Sequence, residues 1–406
     1  MVNKMNSCNN QKDNSKVAWT LSLGHFSIDS YSAFINPIMP FIAAKLGIAL
    51  TLATTLISIS HLCSSIIQPL FGYSADILKK RFFIVWGLVI AAIFLSCTGI
   101  ANSYWVLGLC LALGSMGVAF YHPQATSYVK QFSDENSTKH MSIFLAGGTA
   151  GFSAGPLISS FIAEHLGLEK MPILAIYGII VGLLMLKFIP KTSEEDSLEK
   201  FKQKVLKADF LLSFWNAIKE SFKVKDLQIL FAISVAKCLT VSSYCVFLPF
   251  LWQKIGYSVS KIGFLIFLFV SAGAIATIVS SYFEKRIGAK KVYYLSMITI
   301  LPLAIIFLLT YGTNPLVSQL AVILAGFFAL LAIPINMVMA QNAVPQYKGL
   351  VSGFIGGLSW GIVGIFLPLT GFIAEKIGIP TLLTLISTVP LICAFFVKEL
   401  KTNTNA

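Results

Sequence analysis

The sequence predicts an all-α membrane protein, with twelve transmembrane helices arranged as two pseudo-symmetric six-helix bundles. Three observations carry that prediction. First, hydrophobic residues make up 56% of the 406 and charged residues only 12%, about half the charged share a soluble chain uses to cover its surface. Second, apolar stretches of roughly 20 residues or more, each enough to cross a bilayer as a helix, follow one another along the chain. Third, short pieces of sequence recur at a nearly constant offset. The composition excludes a soluble enzyme, a disordered regulator and a DNA-binding protein, despite the formal net charge of +13.

The expected spans lie near 17–44, 49–73, 82–101, 104–128, 140–163, 171–190, 227–253, 261–283, 292–312, 315–340, 349–374 and 379–397. Helices are required because lipid-facing backbone must bond internally, and barrel strands would alternate in polarity. Residues 1–16 form a polar tail with no apolar core before a cleavage site, so the first span is expected to remain as an anchor. The remaining divisions are a first bundle over 17–190, a polar linker over 191–226, a second bundle over 227–397 and a tail over 398–406. Within the linker, Leu211, Phe214, Trp215, Ile218 and Phe222 recur at helical spacing, the pattern of an amphipathic helix on the inner membrane surface.

Lys and Arg set the orientation. Lys79, Lys80 and Arg81 follow span two, and Lys285, Arg286, Lys290 and Lys291 follow span eight. The opposite loops hold only Lys45, Lys170, Lys254, Lys261 and Lys376. Both termini are therefore expected in the cytoplasm, the protein lying in the cytoplasmic (inner) membrane. The repeat is a parallel one: Ile38–Gly47 (IMPFIAAKLG) matches Phe247–Gly256 (FLPFLWQKIG), and Phe161–Gly167 (FIAEHLG) matches Phe372–Gly378 (FIAEKIG). Six helices per half is an even number, so both halves enter from the same side, as in transporters that bind cargo between two halves.

Of the 17 acids, only Asp29 falls within a span. A carboxylate there is costly and marks a functional candidate; the plainer reading is a hydrogen bond that packs helices. His25 lies one turn earlier on the same face and titrates near neutral pH, so the two could share a proton. Lys237 is the cation deep in span seven, at a place in the second half nearly equivalent to Asp29, and the two could face each other. In span four, Tyr121, His122, Pro123 and Gln124 combine polar groups with a helix-bending proline; Pro334 repeats the bend in span ten, followed by Asn336, Gln341 and Asn342. His61 reads as structural. Gly147, Gly151 and Gly155 in span five, and Gly353, Gly357 and Gly361 in span eleven, allow close helix approach.

Several chemistries find no support. The seven cysteines show no CxxC pair, so neither a disulfide framework nor a zinc site is expected, and no metal or cofactor is assigned. Gly151-Phe152-Ser153-Ala154-Gly155 fits the GxSxG esterase pattern, but that elbow needs a strand–turn–helix context and here lies in a membrane span. No phosphate-binding loop is evident.

With these residues placed, the chain resembles a major facilitator superfamily transporter over nearly its whole length. Gly72 to Arg81 (GYSADILKKR) resembles the loop motif after span two, and Gly151 to Pro156 the span-five motif frequent in antiporters. Within the superfamily it is most similar to the fosmidomycin-resistance-protein branch. The matching pieces are His25–Asp29 (HFSID), Gln68–Gly72 (QPLFG), Tyr121-His122-Pro123, Lys237 with Ser242-Ser243-Tyr244, and Ala340-Gln341 with Val351-Ser352-Gly353. The resemblance implies proton-driven efflux of a small, often anionic compound. The chain departs from the branch at Gln124 and Asn342, where glutamate is common, and at Ile77, where a basic residue is usual.

The expected machinery is therefore Asp29 and His25 for the proton, and Lys237, His122, Tyr121, Gln124, Asn336, Gln341 and Tyr244 for cargo, with Lys237 and His122 either binding an anionic group or stabilising the deprotonated Asp29. Asp76, Arg81, Glu284 and Arg286 are expected to gate. The partners are protons, a small-molecule substrate and the bilayer, with no nucleic acid, and the protein is expected to work as a monomer. Proton-coupled uptake is the nearest alternative; a membrane enzyme or a passive channel is the alternative from another class.

Overall fold

The computed structural model describes residues 2–65, 68, 81–131, 137–190 and 208–400, and they are helical with no strand among them. The helices run α1 (Val2–Ala33), α2 (Ile35–Leu46), α3 (Leu50–Ser65), α4 (Arg81–Ser96), α5 (Tyr104–Gln131), α6 (Ser137–His165), α7 (Leu174–Phe188) and α8 (Ala208–Ser221). They continue as α9 (Lys225–Lys254), α10 (Val259–Ile287), α11 (Ala289–Ile298), α12 (Ile300–Thr310), α13 (Pro315–Leu331), α14 (Ile333–Ala343), α15 (Lys348–Ser352), α16 (Ser359–Ile377), α17 (Ile379–Ile386) and α18 (Thr388–Ala394). Among the described residues, 10 helical stretches are long and apolar enough to cross a membrane, and α3 is apolar but shorter. The first expected span is divided at Phe34, between α1 and α2.

Two compact units emerge from the contacts: residues 1–35 with 66–210, and residues 36–65 with 211–406. Residues 36–65 fall in the second unit, where α3 packs against α16. The cause is local. Gly364 and Gly371 on α16 let α3 lie close: a Cβ at Gly364 would meet the His61 Cβ at 2.9 Å, and one at Gly371 would strike the Thr54 hydroxyl. Ser58 Oγ then donates to the Gly364 carbonyl at 2.6 Å, and Glu375 accepts from the Thr51 N–H at 2.8 Å.

In the first unit, α1 packs against α6, and α4 against α5 and α7. The α1–α6 contact rests on glycine. A Cβ at Gly147 would run into Ser22, at Gly151 into the Phe26 carbonyl and at Gly155 into the Ser30 carbonyl. Small residues let the two backbones approach, and serines stitch them together: Ser22 donates to the Ile143 carbonyl at 2.8 Å, Ser30 to Gly151 at 3.1 Å and Ser159 to Phe34 at 3.0 Å.

The second glycine series behaves differently. Gly353 has nothing within 4 Å of its Cβ position, and Gly353–Leu358 winds as a wide π turn ahead of α16. Ser234 Oγ donates to the Ile355 carbonyl in that turn at 2.7 Å. The two prolines also differ. Pro123 sits inside a continuous α5, whereas Pro334 stands in the first turn of α14, after a break at Ala332. In α8, Ile218 packs against the second unit's core together with Phe222 beyond the helix end, while Leu212 and Trp215 are exposed.

Candidate functional site

In the first unit α1 and α5 bring together His25, Asp29 and His122. His25 and Asp29 are one helical turn apart, and His25 Nε2 lies 3.3 Å from Asp29 Oδ2. His122, just before Pro123 on α5, places its Nε2 3.1 Å from Asp29 Oδ1. Each carboxylate oxygen therefore has its own imidazole. The two rings stand edge to face, 5.1 Å between centroids.

His25 is fixed on its far side. Its Nδ1 lies 2.8 Å from the Phe144 carbonyl oxygen of α6, and its ring stacks on Phe144 at 4.1 Å. A carbonyl only accepts, so Nδ1 carries a proton. The Nε2 facing Asp29 is then either a second N–H or a bare lone pair. A bare lone pair against a carboxylate is repulsive, so the geometry favours a cation in the cluster, a proton in the simplest case. Gly148 on α6 keeps room for this arrangement: a Cβ there would stand 2.8 Å from Asp29 Oδ2 and strike His25 Nε2. His25 is buried, while the side chains of Asp29 and His122 retain 18% and 25% exposure, so access is from the His122 side. These three residues also form a set of donor atoms that could hold a metal ion, all within 4.8 Å of one another.

The other expected site residues in this unit lie close by. Tyr121 is buried and its hydroxyl donates to the Leu21 carbonyl at 2.9 Å, tying α5 to α1 beside His25. Gln124 is buried, and its Oε1 accepts no hydrogen bond.

In the second unit, Lys237 on α9 is fully buried. Its Nζ donates to Ser296 Oγ and, at 3.0 Å, to the Ala329 carbonyl, and Ser296 in turn donates to the Phe328 carbonyl at 2.6 Å. Asn336 accepts from the Tyr293 hydroxyl at 3.0 Å and donates to the Leu230 carbonyl at 3.1 Å. Tyr244 and Ser387 share a hydrogen bond of 3.2 Å, and Gln341 donates to Ser352 at 2.7 Å. Each of these polar groups is thus engaged inside its own unit. His61 packs near Trp360, 5.7 Å between ring centroids.

Of the expected gating residues, Asp76 lies outside the described residues, as does most of the 72–81 motif. Arg81 Nη1 donates to the Leu186 and Ile189 carbonyls, both at 3.0 Å, where a cation complements the carboxyl end of a helix. The Arg286 guanidinium lies 5.0 Å from the centre of the Tyr282 ring, and Glu284 is half-buried near the end of α10. Ser153 donates to the Thr149 carbonyl of its own helix at 3.0 Å, and α6 is continuous there, so the GxSxG pattern lacks the turn that an esterase nucleophile needs.

The Major Facilitator Superfamily family model matches residues 21–368. The chain belongs to the major facilitator superfamily. As a superfamily member it is a multi-pass helical membrane protein of a transporter family. It is 25% identical to the fosmidomycin resistance protein of Escherichia coli (strain K12) over 379 residues, 92% of this chain and 89% of that protein. It is 28% identical over 198 residues to the multi-drug resistance efflux pump PmrA of Streptococcus pneumoniae, 47% of this chain and 48% of the pump. Among solved structures, the nucleoside transporter NupG is similar with a TM-score of 0.75 at 16% identity, covering 95% of this chain and 98% of NupG. A D-xylose-proton symporter follows with a TM-score of 0.71 at 15% identity, covering 96% and 98%. At those identities the structures speak for the fold alone.

Sequence reasoning missed Phe144, Gly148 and Ser296. Phe144 holds His25 with a backbone carbonyl, which every residue has. Gly148 adjoins a glycine series but lies outside its every-fourth-residue spacing. Ser296 follows Tyr293 by three residues in an apolar span, a spacing that puts both on one helix face; that face was the available signal.

Proposed function

We propose that this superfamily member is a proton-coupled antiporter that exports a small anionic or amphipathic compound by alternating access. It works as a monomer in the cytoplasmic membrane with both termini inside. The observation that carries the reading is the His25–Asp29–His122 cluster, a largely buried carboxylate with an imidazole on each oxygen. When loaded, both Nε2 atoms donate to Asp29 and the cluster is closed on itself. When one proton leaves, a bare Nε2 faces the carboxylate, and the partly exposed His122 turns away and becomes free to contact cargo. Proton and cargo thus favour different forms of the same residues, and loading one releases the other.

Buried Gln124, whose Oε1 has no hydrogen-bond donor among the described residues, offers cargo a polar contact in the first unit. Lys237, whose Nζ bonds only to neutral oxygens, offers an anion a donor in the second. Support for export comes from the two relatives named for resistance or efflux.

The test uses proteoliposomes and fosmidomycin as the probe, with a pH difference imposed across the membrane. Antiport accumulates the compound on the acid side. Accumulation on the alkaline side establishes proton symport instead, and movement indifferent to the pH difference overturns coupling.

A further inference from the structure

We propose that His25, Asp29 and His122 form a binding site for one divalent transition-metal ion of the Zn2+ or Co2+ kind. Ligand atoms about 2.0–2.1 Å from a tetrahedral zinc lie about 3.3 Å from each other. Here each imidazole stands against its own carboxylate oxygen, His25 Nε2 at 3.3 Å from Asp29 Oδ2 and His122 Nε2 at 3.1 Å from Asp29 Oδ1, so small side-chain turns are needed to gather two nitrogens around one oxygen and an ion. One donor atom from each of the three residues already lies within 4.8 Å of the other two, and the partly exposed His122 side chain is the one with room to turn toward that spacing.

Two features outside the three ligands match a metal site. The first is the Phe144 carbonyl, which accepts from His25 Nδ1 at 2.8 Å. Metal-bound histidines commonly donate their second ring N–H in this way, which fixes the tautomer and aims the other nitrogen at the ion. The second is Gly148, the one α6 residue whose Cβ would strike both His25 Nε2 and Asp29 Oδ2. The lack of a side chain leaves room beside the atoms that would hold an ion.

The donor set selects the ion. Two imidazole nitrogens and one carboxylate oxygen suit zinc, cobalt, nickel or copper, whereas magnesium and calcium take oxygen ligands. Three protein ligands leave a fourth position for water, on the side where His122 is exposed. The binding itself stands without the transport reading. Its consequence rests on that reading: an ion on these atoms excludes the proton, so Zn2+ halts exchange.

The test is a Co2+ titration of the full-length, tag-free protein in detergent. We expect one saturating equivalent with the intense visible bands of four-coordinate cobalt, displaced by Zn2+, and a rise in Tm with Zn2+. His122→Ala abolishes the saturable signal, Gly148→Ala weakens it and His61→Ala leaves it unchanged. A pale six-coordinate spectrum like that of free cobalt overturns the site, as does binding undiminished in His122→Ala. Should His122→Ala fail to elute as a single folded species, the wild-type spectrum and its displacement by Zn2+ decide the matter alone. Saturable binding without inhibition of exchange leaves the metal site standing and counts against the proton assignment; loss of binding alone does the reverse.

Discussion

Asp29 has little water to compensate its charge, and two imidazoles take water's place. Substituting asparagine keeps the size and a hydrogen-bonding oxygen but removes the charge that makes the site a proton trap. Asp29→Asn is therefore expected to elute from size exclusion as wild type does, while pH-driven exchange in proteoliposomes falls to the rate of protein-free vesicles; exchange at the wild-type rate refutes the assignment. Ser153→Ala is expected to leave exchange unchanged, because that hydroxyl serves only the Thr149 carbonyl of its own helix; a large loss would revive a nucleophile reading. At this scale the sequence told half the story. The His25–Asp29 pair follows from a one-turn spacing, which any helix brings together. His122 is far away in the chain and joins them only through tertiary packing. The suggestion that Asp29 and Lys237 face each other rested on equivalent places in two halves; within its own unit the Lys237 amine donates to Ser296 and the Ala329 carbonyl.

Among the elements, the α1–α6 contact is what holds the His25–Asp29 face against Phe144 and Gly148. Gly151 has the Phe26 carbonyl where its Cβ would be, whereas Gly353 has open space. Overpacking typically costs about 1–3 kcal/mol, so Gly151→Ala is expected to lower the thermal unfolding temperature in detergent and to weaken exchange by separating α1 from α6. Gly353→Ala, in helical backbone with nothing to strike, is expected to change stability by less than about 1 kcal/mol. Equal effects at both sites would contradict this account of the packing. The glycine spacing was legible in both halves; what each glycine meets was not, because the same spacing sets Gly151 against a helix backbone in α6 and places Gly353 at the start of a π turn with open space beside it. Proline likewise marked both bends, yet α5 passes through Pro123 while the chain breaks ahead of Pro334.

For the whole molecule, the fold class follows from composition and hydrophobic length, which the bilayer constrains so strongly that little else is needed. The internal repeat anticipated two related halves. The packing of α3 on α16 through Gly364 and Gly371 is a tertiary contact that the repeat does not encode. At this scale the proton reading predicts a pH dependence with a definite sign. Acid on the side from which the cluster is reached loads it and drives cargo toward that side. The titratable groups facing Asp29 among the described residues are His25 and His122, with the Tyr121 ring 6.3 Å from His25. Exchange in His122→Gln is expected to lose most of its pH response while keeping some downhill transport; an unaltered pH profile would place the proton elsewhere.

The central claim of the proposed function is that this cluster exchanges a proton during transport, with Asp29 as its anchor. Infrared difference spectroscopy of the purified protein between mildly acidic and mildly alkaline buffer tests it without any substrate. We predict paired imidazole-ring and carboxylate bands in the wild type that vanish together in Asp29→Asn. Identical difference spectra from the two proteins would contradict the account.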